Sequence, residues 1–335
     1  MLAAEFDSIV AKLDQMSLAQ IQRLGREVNE RARRKEVLAT LEARVADGPA
    51  CVYCSRRRLI RWGTGQTGLQ RWRCKDCGRT FNSAHGTAMS RARRPDLFLL
   101  FIKNMLGRPW SCREAAAHLG IHPMTAWRWR MKACAAIETT GAEQFGGVVE
   151  ADETFQRESR KGSREWIRHQ LDPTAAPQPP RLRWYEYKRD ELPMKRGLSR
   201  WQIPILTLAD RSGARRADVV PGLSFAHIGR VLTRHVATDS VLCSDKAQAY
   251  KKFAATTGVR HVTVAARKGQ RIKDRTFHIQ NVNALHSRFK DFIRDFDGPN
   301  TANLKRYVSW FVYRETAGLG DESARALFRR LVAPG

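Results

Sequence analysis

The chain has 335 residues, of which 42% are apolar, so it is long enough for two or three domains with a sizeable core. It carries 60 Lys and Arg against 33 Asp and Glu, a formal net charge of +27, which indicates a polyanionic partner, most simply nucleic acid, with an acidic membrane surface as the alternative. The sequence predicts no membrane span, because no apolar run approaches roughly 18 residues, and no signal peptide, because the N-terminal residues lack a basic block followed by an apolar one.

Residues 1–46 are predicted to form two helices. Apolar residues recur at three- and four-residue steps between Phe6 and Val28. Ser17 followed by Gln20 is typical of a capping box that starts a second helix. We expect this pair to pack on its neighbour or on a second copy of the chain, with a DNA contact as the alternative.

Residues 47–84 are predicted to form a zinc ribbon. Cys51 and Cys54 form one CxxC pair, and Cys74 and Cys77 form another after 19 intervening residues. Two such pairs supply the four thiolates of a tetrahedral Zn²⁺ site in a reducing cytosol, whereas a redox dithiol is the alternative. So small and basic a ribbon is expected to depend on its metal for folding. Its arginines, Arg71 and Arg73 among them, would contact DNA phosphates or simply form a solvated face.

Residues 85–140 are predicted to hold a helix from about Asp96 to Leu106 and then a helix-turn-helix. Ser111 and Glu114 form a capping box for the first of the paired helices, 112–119, and Gly120 ends it. Pro123 opens the second, 124–137, and the core of the pair is expected to join Ala115, Ala116 and Leu119 to Trp127. The predicted DNA contacts of the second helix are Thr125, Arg128, Arg130 and Lys132. An ordinary helical hairpin is the alternative. The remaining cysteines are expected to be small core residues: Cys112, Cys134 and Cys243.

Residues 147–320 are predicted to form an α/β domain with a partly antiparallel sheet. Strands are expected at 148–149, 203–209, 217–221, 240–245 and 261–265, and helices at 225–235, 247–256, 277–296 and 301–316. The basic, Pro-rich segment 155–200 is expected to break regular structure, as a long β-hairpin excursion or as a loop over DNA. Its aromatic residues would stack on bases or form a small core of their own: Trp166, Trp184, Tyr185 and Tyr187.

Two aspartates are predicted to end neighbouring strands of this domain. Asp152 follows the apolar run Val148-Val149, and Asp245 follows the run 240–244. Paired carboxylates bind hard divalent cations such as Mg²⁺ or Mn²⁺, and two such ions activate a water or a 3′-hydroxyl for attack on a phosphodiester. On the helix downstream, Asn283 and Lys290 lie two turns apart on one face, where Asn283 could offer an oxygen to the metal and Lys290 could hold a phosphate. His278 and His286 would contact phosphate or be unremarkable helix residues.

The order of these motifs resembles the zinc-ribbon insertion-sequence transposases with a DDE-type, RNase H-like core, over about residues 50–315. The branch with Asn in the third catalytic position and a following Lys, the "DDNK" pattern, is the most similar. This resemblance implies that Asp152, Asp245 and Asn283 bind catalytic Mg²⁺ or Mn²⁺, two ions in all, and that Lys290 positions DNA.

The resemblance also implies binding of terminal inverted repeats in double-stranded DNA, strand hydrolysis and strand transfer. A homodimer or larger assembly in the bacterial cytoplasm, associated with the nucleoid, is expected. Because Asn283 is neutral, Glu153 or Glu315 would have to complete the charge of the site. Two other functions stay open: a non-catalytic DNA-binding regulator, and a metal-dependent nuclease without strand transfer.

Overall fold

A computed structural model describes residues 3–138, 144–176, 202–264, 272–274, 276–318 and 320–333. The chain divides into two compact units, the first formed by Met1–Ala133 and Leu319–Gly335 and the second by Cys134–Gly318. Within the described ranges, no helix is both long enough and apolar enough to cross a bilayer.

The first unit begins with two helices, α1 (Ala3–Ala11) and α2 (Leu18–Ala43). The predicted capping box is confirmed, since the Ser17 side chain accepts the Gln20 N–H and the Gln20 side chain accepts the Ser17 N–H. Only the second half of α2 is buried, at Val37 and Leu41. The apolar residues nearer the N-terminus are exposed: Phe6, Ile9, Val10, Leu18, Ile21 and Val28.

A three-stranded antiparallel sheet follows, with β1 (Leu59–Thr64), β2 (Gln70–Cys74) and β3 (Thr80–Asn82) in sequential order. Its small core consists of Cys51, Cys74 and Phe81, with Leu59 and Trp72 packed against them. So few apolar side chains cannot stabilise a sheet of this size alone, as expected for a ribbon that needs a metal.

Four further helices complete the first unit. These are α3 (Pro95–Leu106), α4 (Cys112–Leu119), α5 (Pro123–Glu138) and, close to the C-terminus, α11 (Asp321–Val332), which the sequence patterns did not predict. The ion pairs Lys103–Asp321 and Arg325–Glu36 join α11 to α3 and α2. The last residues of α5, from Cys134 onward, belong to the second unit.

The turn between α4 and α5 matches the sequence prediction, but part of the predicted core does not. Ser111 and Glu114 form the capping box, and Gly120 has a left-handed conformation with φ 61°, where the lack of a Cβ avoids strain. Ala115 and Leu119 are buried as expected. The prediction for Trp127 is wrong, since 41% of it is exposed and Trp129 is buried instead against Phe98 and Phe101. These two tryptophans are two positions apart, so they lie on nearly opposite faces of α5, and the pattern of α5 alone did not identify which one faces inward.

The second unit is built on a five-stranded mixed sheet in the order β6-β5-β4-β7-β8. Its strands are β4 (Val148–Arg157), β5 (Gln202–Asp210), β6 (Arg215–Val219), β7 (Val241–Ser244) and β8 (Arg260–Thr263). The first three pair antiparallel, whereas β4, β7 and β8 pair parallel. β5 is buried along most of its length, as expected where both faces of a sheet are covered, whereas β4 is buried at Val149–Ala151 and Thr154 and only partly buried elsewhere.

The described residues of this unit also form the helices α6 (Glu165–Leu171), α7 (Phe225–His235), α8 (Gln248–Thr257), α9 (Gln280–Arg294) and α10 (Leu304–Ala317). Side chains of α7 and α8, including Ile228, Leu232 and Phe253, form one core with β4, β5 and β7. On α9, Phe289 and Phe292 pack edge to face against Phe311 and Trp310 of α10. The two predicted core cysteines Cys134 and Cys243 are fully buried, and Cys112 is partly buried.

Residues 155–200 contain more regular structure than predicted. β4 continues to Arg157, which pairs with Gln202 at the start of β5, so these two strands form the base of the predicted β-hairpin excursion. The excursion includes α6, whose Trp166 is buried rather than available for stacking on bases. Trp184, Tyr185 and Tyr187 lie outside the described residues.

Candidate functional site

Parallel pairing of β4 and β7 brings Asp152 and Asp245 to the same level of the sheet. Glu150 pairs with Cys243, so the residues two positions further along each strand are Asp152 and Asp245. Both aspartates therefore lie at the carboxyl end of β7, the edge at which α/β sheets hold ligands. The two residues were predicted to be neighbours at the ends of their strands. The strand register makes them neighbours, but the prediction that Asp152 ends its strand is wrong, since β4 continues to Arg157.

Three half-buried carboxylates lie near this edge and are close enough for their charges to interact: Asp152, Glu153 and Asp245. Burial raises the pKa of Asp152 to about 6, and the nearby Asp245 charge adds to this rise against a backbone hydrogen bond from Glu153. Burial also raises the pKa of Glu153 to about 7, with Asp152 and Asp245 adding to the rise. The Tyr250 hydroxyl opposes it by donating to Glu153 Oε1 at 2.7 Å. Partly desolvated carboxylates that repel one another are ligands of the kind that a hard divalent cation prefers, and such a cation would compensate their repulsion.

Helix α9 is attached to β4 through Glu150, a carboxylate that the sequence patterns did not identify. Its side chain is fully buried and accepts the backbone N–H groups of Asn281 and Val282 at 2.8 and 3.2 Å. Asn281 Nδ2 and Arg211 donate to the other carboxylate oxygen, and His278 Nδ1 lies 3.2 Å from it. Glu150 thus satisfies the free N–H groups at the start of α9 and fixes the helix against the strand that carries Asp152.

A second attachment of α9 lies at Asp152 itself. His286 Nδ1 is 3.9 Å from Asp152 Oδ2, and His286 Nε2 is 2.5 Å from Thr207 Oγ1. The Thr207 hydroxyl also donates to the main-chain oxygen of Asp152 at 2.8 Å. His286 is buried, so its ring is not freely exposed for a phosphate contact.

Asn283 and Lys290 are exposed on either side of His286 along α9. Positions 283, 286 and 290 share one face of the helix, because they are spaced by three and four residues. Burial lowers the pKa of His286 to about 4, and the charge of Lys290 contributes to this decrease. The helix therefore presents Asn283, His286 and Lys290 on the face that meets Asp152 through His286.

Glu315 takes no part in this cluster. Its carboxylate accepts from Arg215 Nη1 at 2.9 Å and from Arg288 Nε at 2.8 Å. Because two guanidinium groups already compensate its charge, the expectation that Glu315 completes a metal site is wrong. Glu153 is the remaining acidic residue that was predicted for this purpose.

The four predicted zinc ligands in the first unit come together. The sulfur atoms of Cys51, Cys54, Cys74 and Cys77 all lie within 4.8 Å of one another. The Sγ–Sγ distances are 3.6 Å between Cys51 and Cys77 and 3.7 Å between Cys54 and Cys74. Tetrahedral Zn²⁺ with bonds of about 2.3 Å requires sulfur separations of about 3.8 Å. The cluster therefore fits a zinc ion.

The two CxxC turns have the same backbone geometry. The N–H of Cys51 donates to Arg56 O and that of Cys74 to Arg79 O, in each case five residues ahead. The carbonyls of the same two cysteines accept from Ser55 and Gly78, both at positive φ. Cys51 and Cys74 are buried, while Cys54 and Cys77 are more accessible. Two equivalent turns facing each other thus build the four-thiol arrangement.

The residues that were predicted to contact DNA differ in their exposure and in their hydrogen-bond partners. Thr125 is partly buried and Arg128 exposed at the start of α5, whereas Lys132 Nζ donates to Ala88 O at 2.6 Å. Arg130 is buried and donates to Trp110 O, so its side chain supports the fold of the first unit instead of facing outward. On β2, Arg71 donates to Thr80 Oγ1 at 3.4 Å, and the Arg73 guanidinium lies 4.7 Å from the Trp62 ring centroid.

Comparison with known proteins finds a matching domain family for part of the chain. Residues 182–316 match the family model of the ISXO2-like transposase domain. This segment includes Asp245, Asn283 and Lys290, whereas Asp152 and the cysteine cluster lie before it.

A curated relative from Halobacterium salinarum, the uncharacterized protein in transposable element ISH50, is 27% identical over 203 residues. The match covers 58% of this chain and 59% of the relative, so the chain spans less than two thirds of that protein. A crystal structure of a pre-cleavage Mos1 transpososome is matched over 70% of this chain and 77% of that chain, with 9% identity and a TM-score of 0.22, too low to carry an argument. The domain match and the relative from a transposable element support an insertion-sequence transposase.

Proposed function

We propose that this protein is the transposase of an insertion sequence, which binds the terminal inverted repeats of its element and catalyses metal-dependent hydrolysis and strand transfer. The observation that carries the proposal is the register of β4 and β7, which sets Asp152 level with Asp245. The mixed sheet with α9 packed beside that edge supports an RNase H-like catalytic domain of the DDE type.

Asp152, Asp245 and Asn283 would hold the catalytic Mg²⁺ or Mn²⁺ ions, following the "DDNK" pattern. Two ions bound there would supply Lewis-acid stabilisation of the attacking and leaving oxygens. Because Asn283 is neutral, Glu153 would contribute the third negative charge near the site, since a bound cation would lower its raised pKa of about 7 and favour the deprotonated form. Lys290 would hold a DNA phosphate.

The first unit would bind DNA. A structural Zn²⁺ held by the four cysteines would fix the ribbon, whose Arg71 and Arg73 supply phosphate contacts. Thr125, Arg128 and Lys132 on α5 would complete a helix-turn-helix contact. Arg130 is left out of this interface, because its side chain is buried.

The N-terminal helices would join two copies of the chain. Residues 3–15 carry Glu5, Asp7 and Asp14 against one lysine, whereas residues 18–35 carry six basic residues against Glu27 and Glu30. The acidic helix α1 of one copy is thus complementary in charge to α2 of another, and the exposed apolar residues of both helices would be covered by the pairing.

The test is cleavage and joining of a duplex that contains an element end, with Mg²⁺ or Mn²⁺. The wild type is expected to cut and to join, while Asp152→Ala and Asp245→Ala bind the same duplex and do neither. A DNA-binding regulator would bind without cutting in either metal, and a nuclease would cut without a joined product. If both variants cut normally, the assignment of these residues is wrong.

A further inference from the structure

The hydrogen bonds around Thr207 determine which nitrogen of His286 carries hydrogen. Thr207 Oγ1 donates to the main-chain oxygen of Asp152 at 2.8 Å, and a hydroxyl has only one hydrogen. Thr207 Oγ1 must therefore accept in its second contact, the 2.5 Å contact with His286 Nε2. Nε2 is then the protonated nitrogen, and Nδ1 of the neutral ring carries a lone pair.

That lone pair faces another acceptor. Nδ1 lies 3.9 Å from Asp152 Oδ2, too far apart for a direct hydrogen bond. Two acceptors at this separation are satisfied by one group that donates two hydrogens, with a hydrogen bond of about 2.8 Å to each. Water has two hydrogens to give, whereas an alcohol such as a DNA 3′-hydroxyl has one.

We infer that His286 Nδ1 and Asp152 Oδ2 together bind the water molecule that attacks the scissile phosphodiester, which makes His286 a catalytic residue of the hydrolytic step. This inference rests on the proposed function. As the water oxygen bonds to phosphorus, the water releases a proton to solvent, while His286 Nδ1 and Asp152 Oδ2 orient it. The bond between phosphorus and the 3′-oxygen breaks, and that oxygen keeps the electron pair and takes up a proton from solvent.

Two substitutions of His286 test the roles of Nε2 and Nδ1 separately. In His286→Gln the amide NH₂ reaches the position of Nε2 and keeps the bond to Thr207, but no acceptor replaces Nδ1. In His286→Asn the side-chain oxygen reaches the position of Nδ1, and the bond to Thr207 is lost. His286→Gln is thus expected to keep the stability of the fold and to lose the water contact. His286→Asn is expected to keep the water contact and to be less stable.

The experiment measures single-turnover hydrolysis of an end-containing duplex by the full-length chain, beside its melting temperature. His286→Gln is expected to melt as the wild type does and to cut at least about 100-fold more slowly, because the attacking water loses one of the two acceptors that position it. His286→Asn is expected to cut faster than His286→Gln despite a lower melting temperature. Equal rates for the two variants, whether normal or impaired, would overturn the inference.

A second measurement does not depend on DNA cleavage. The ¹⁵N chemical shifts of the His286 ring, assigned from the signals missing in His286→Gln, are expected to show hydrogen on Nε2 alone. Hydrogen on Nδ1, alone or together with Nε2, would overturn the inference even in an active enzyme. A wild-type chain that cuts no duplex would refute the proposed function, whatever the tautomer.

Discussion

Glu150 and Asp152 lie two positions apart on the same face of β4, and both contact helix α9. Glu150 accepts the N–H groups of Asn281 and Val282 at the start of the helix, and Asp152 faces His286 four residues further along. One strand thus fixes the helix with one carboxylate and presents the other to the candidate site. The position of Asn283 and Lys290 relative to Asp152 depends on this pair of contacts.

The first prediction concerns Glu150. Glu150→Ala is expected to destabilise the second unit by about 3 kcal/mol, because it leaves the buried N–H groups of Asn281 and Val282 without their acceptor. The free energy of unfolding in urea measures this loss. The control is Glu165→Gln, a carboxylate that is 61% exposed and pairs with Arg160, for which a change below about 1 kcal/mol is expected. Equal effects of the two substitutions would mean that Glu150 does not hold α9.

The second prediction is a pH dependence of stability in the absence of divalent metal. Burial raises the pKa of Asp152 to about 6 and that of Glu153 to about 7, so between about pH 4 and pH 7 the folded state binds more protons than the unfolded chain. These groups therefore make the fold less stable as pH rises through that range. Asp152→Asn is expected to be more stable than the wild type at pH 8, by about 2 kcal/mol, and similar to it near pH 4.

Thermal unfolding of both proteins in buffer without added Mg²⁺ or Mn²⁺, at a series of pH values, measures the difference. Asp218→Asn is the control, because Asp218 is paired with Arg216 and its loss is not expected to stabilise the fold. An Asp152→Asn variant that is less stable than the wild type at pH 8 would show that the carboxylates do not repel one another as inferred.

The third prediction concerns zinc. The purified chain is expected to contain one zinc ion, and Cys74→Ala is expected to lose it and to weaken DNA binding, because Cys74 is a buried member of the four-thiol cluster. Elemental analysis measures the metal content. Cys112→Ala, outside the cluster, is the matched control and should keep its zinc. A zinc-free ribbon that stays folded and binds DNA normally would contradict the assignment.

The fourth prediction concerns the N-terminal helices. Replacing exposed Phe6 and Ile9 together by Asp is expected to convert dimers to monomers in sedimentation, because it removes apolar area and adds charge at the proposed contact. Ser8→Asp adds charge at a different face of α1 and should leave the dimer intact. If the wild type is a monomer, or if the double variant still dimerises, these helices do not join two copies.

The sequence predicted the parts of the fold that depend on local patterns. Apolar spacing identified α7 and α9, and the capping signals at Ser17 and Ser111 identified two helix starts. The CxxC pairs identified the cysteine cluster, because four thiols at that spacing have few other uses.

Contacts between residues distant in the chain could not be predicted in this way. The role of Glu150 could not be predicted, because its partners Asn281 and Val282 lie about 130 positions away in the sequence. They also bind it through backbone N–H groups, which have no sequence signature. Thr207 and Tyr250 look like ordinary strand and helix residues until β5 and α8 are placed beside β4. Trp127 and Trp129 are both apolar, and only the packing of Phe98 and Phe101 selects Trp129 for the core.

Mn²⁺ binding followed by electron paramagnetic resonance tests most directly whether Asp152 and Asp245 share a divalent cation. The wild type is expected to bind Mn²⁺, and Asp152→Asn and Asp245→Asn are each expected to lose that binding, while Asp218→Asn binds as the wild type does. Mn²⁺ binding that is unchanged in both Asp152→Asn and Asp245→Asn would contradict the account.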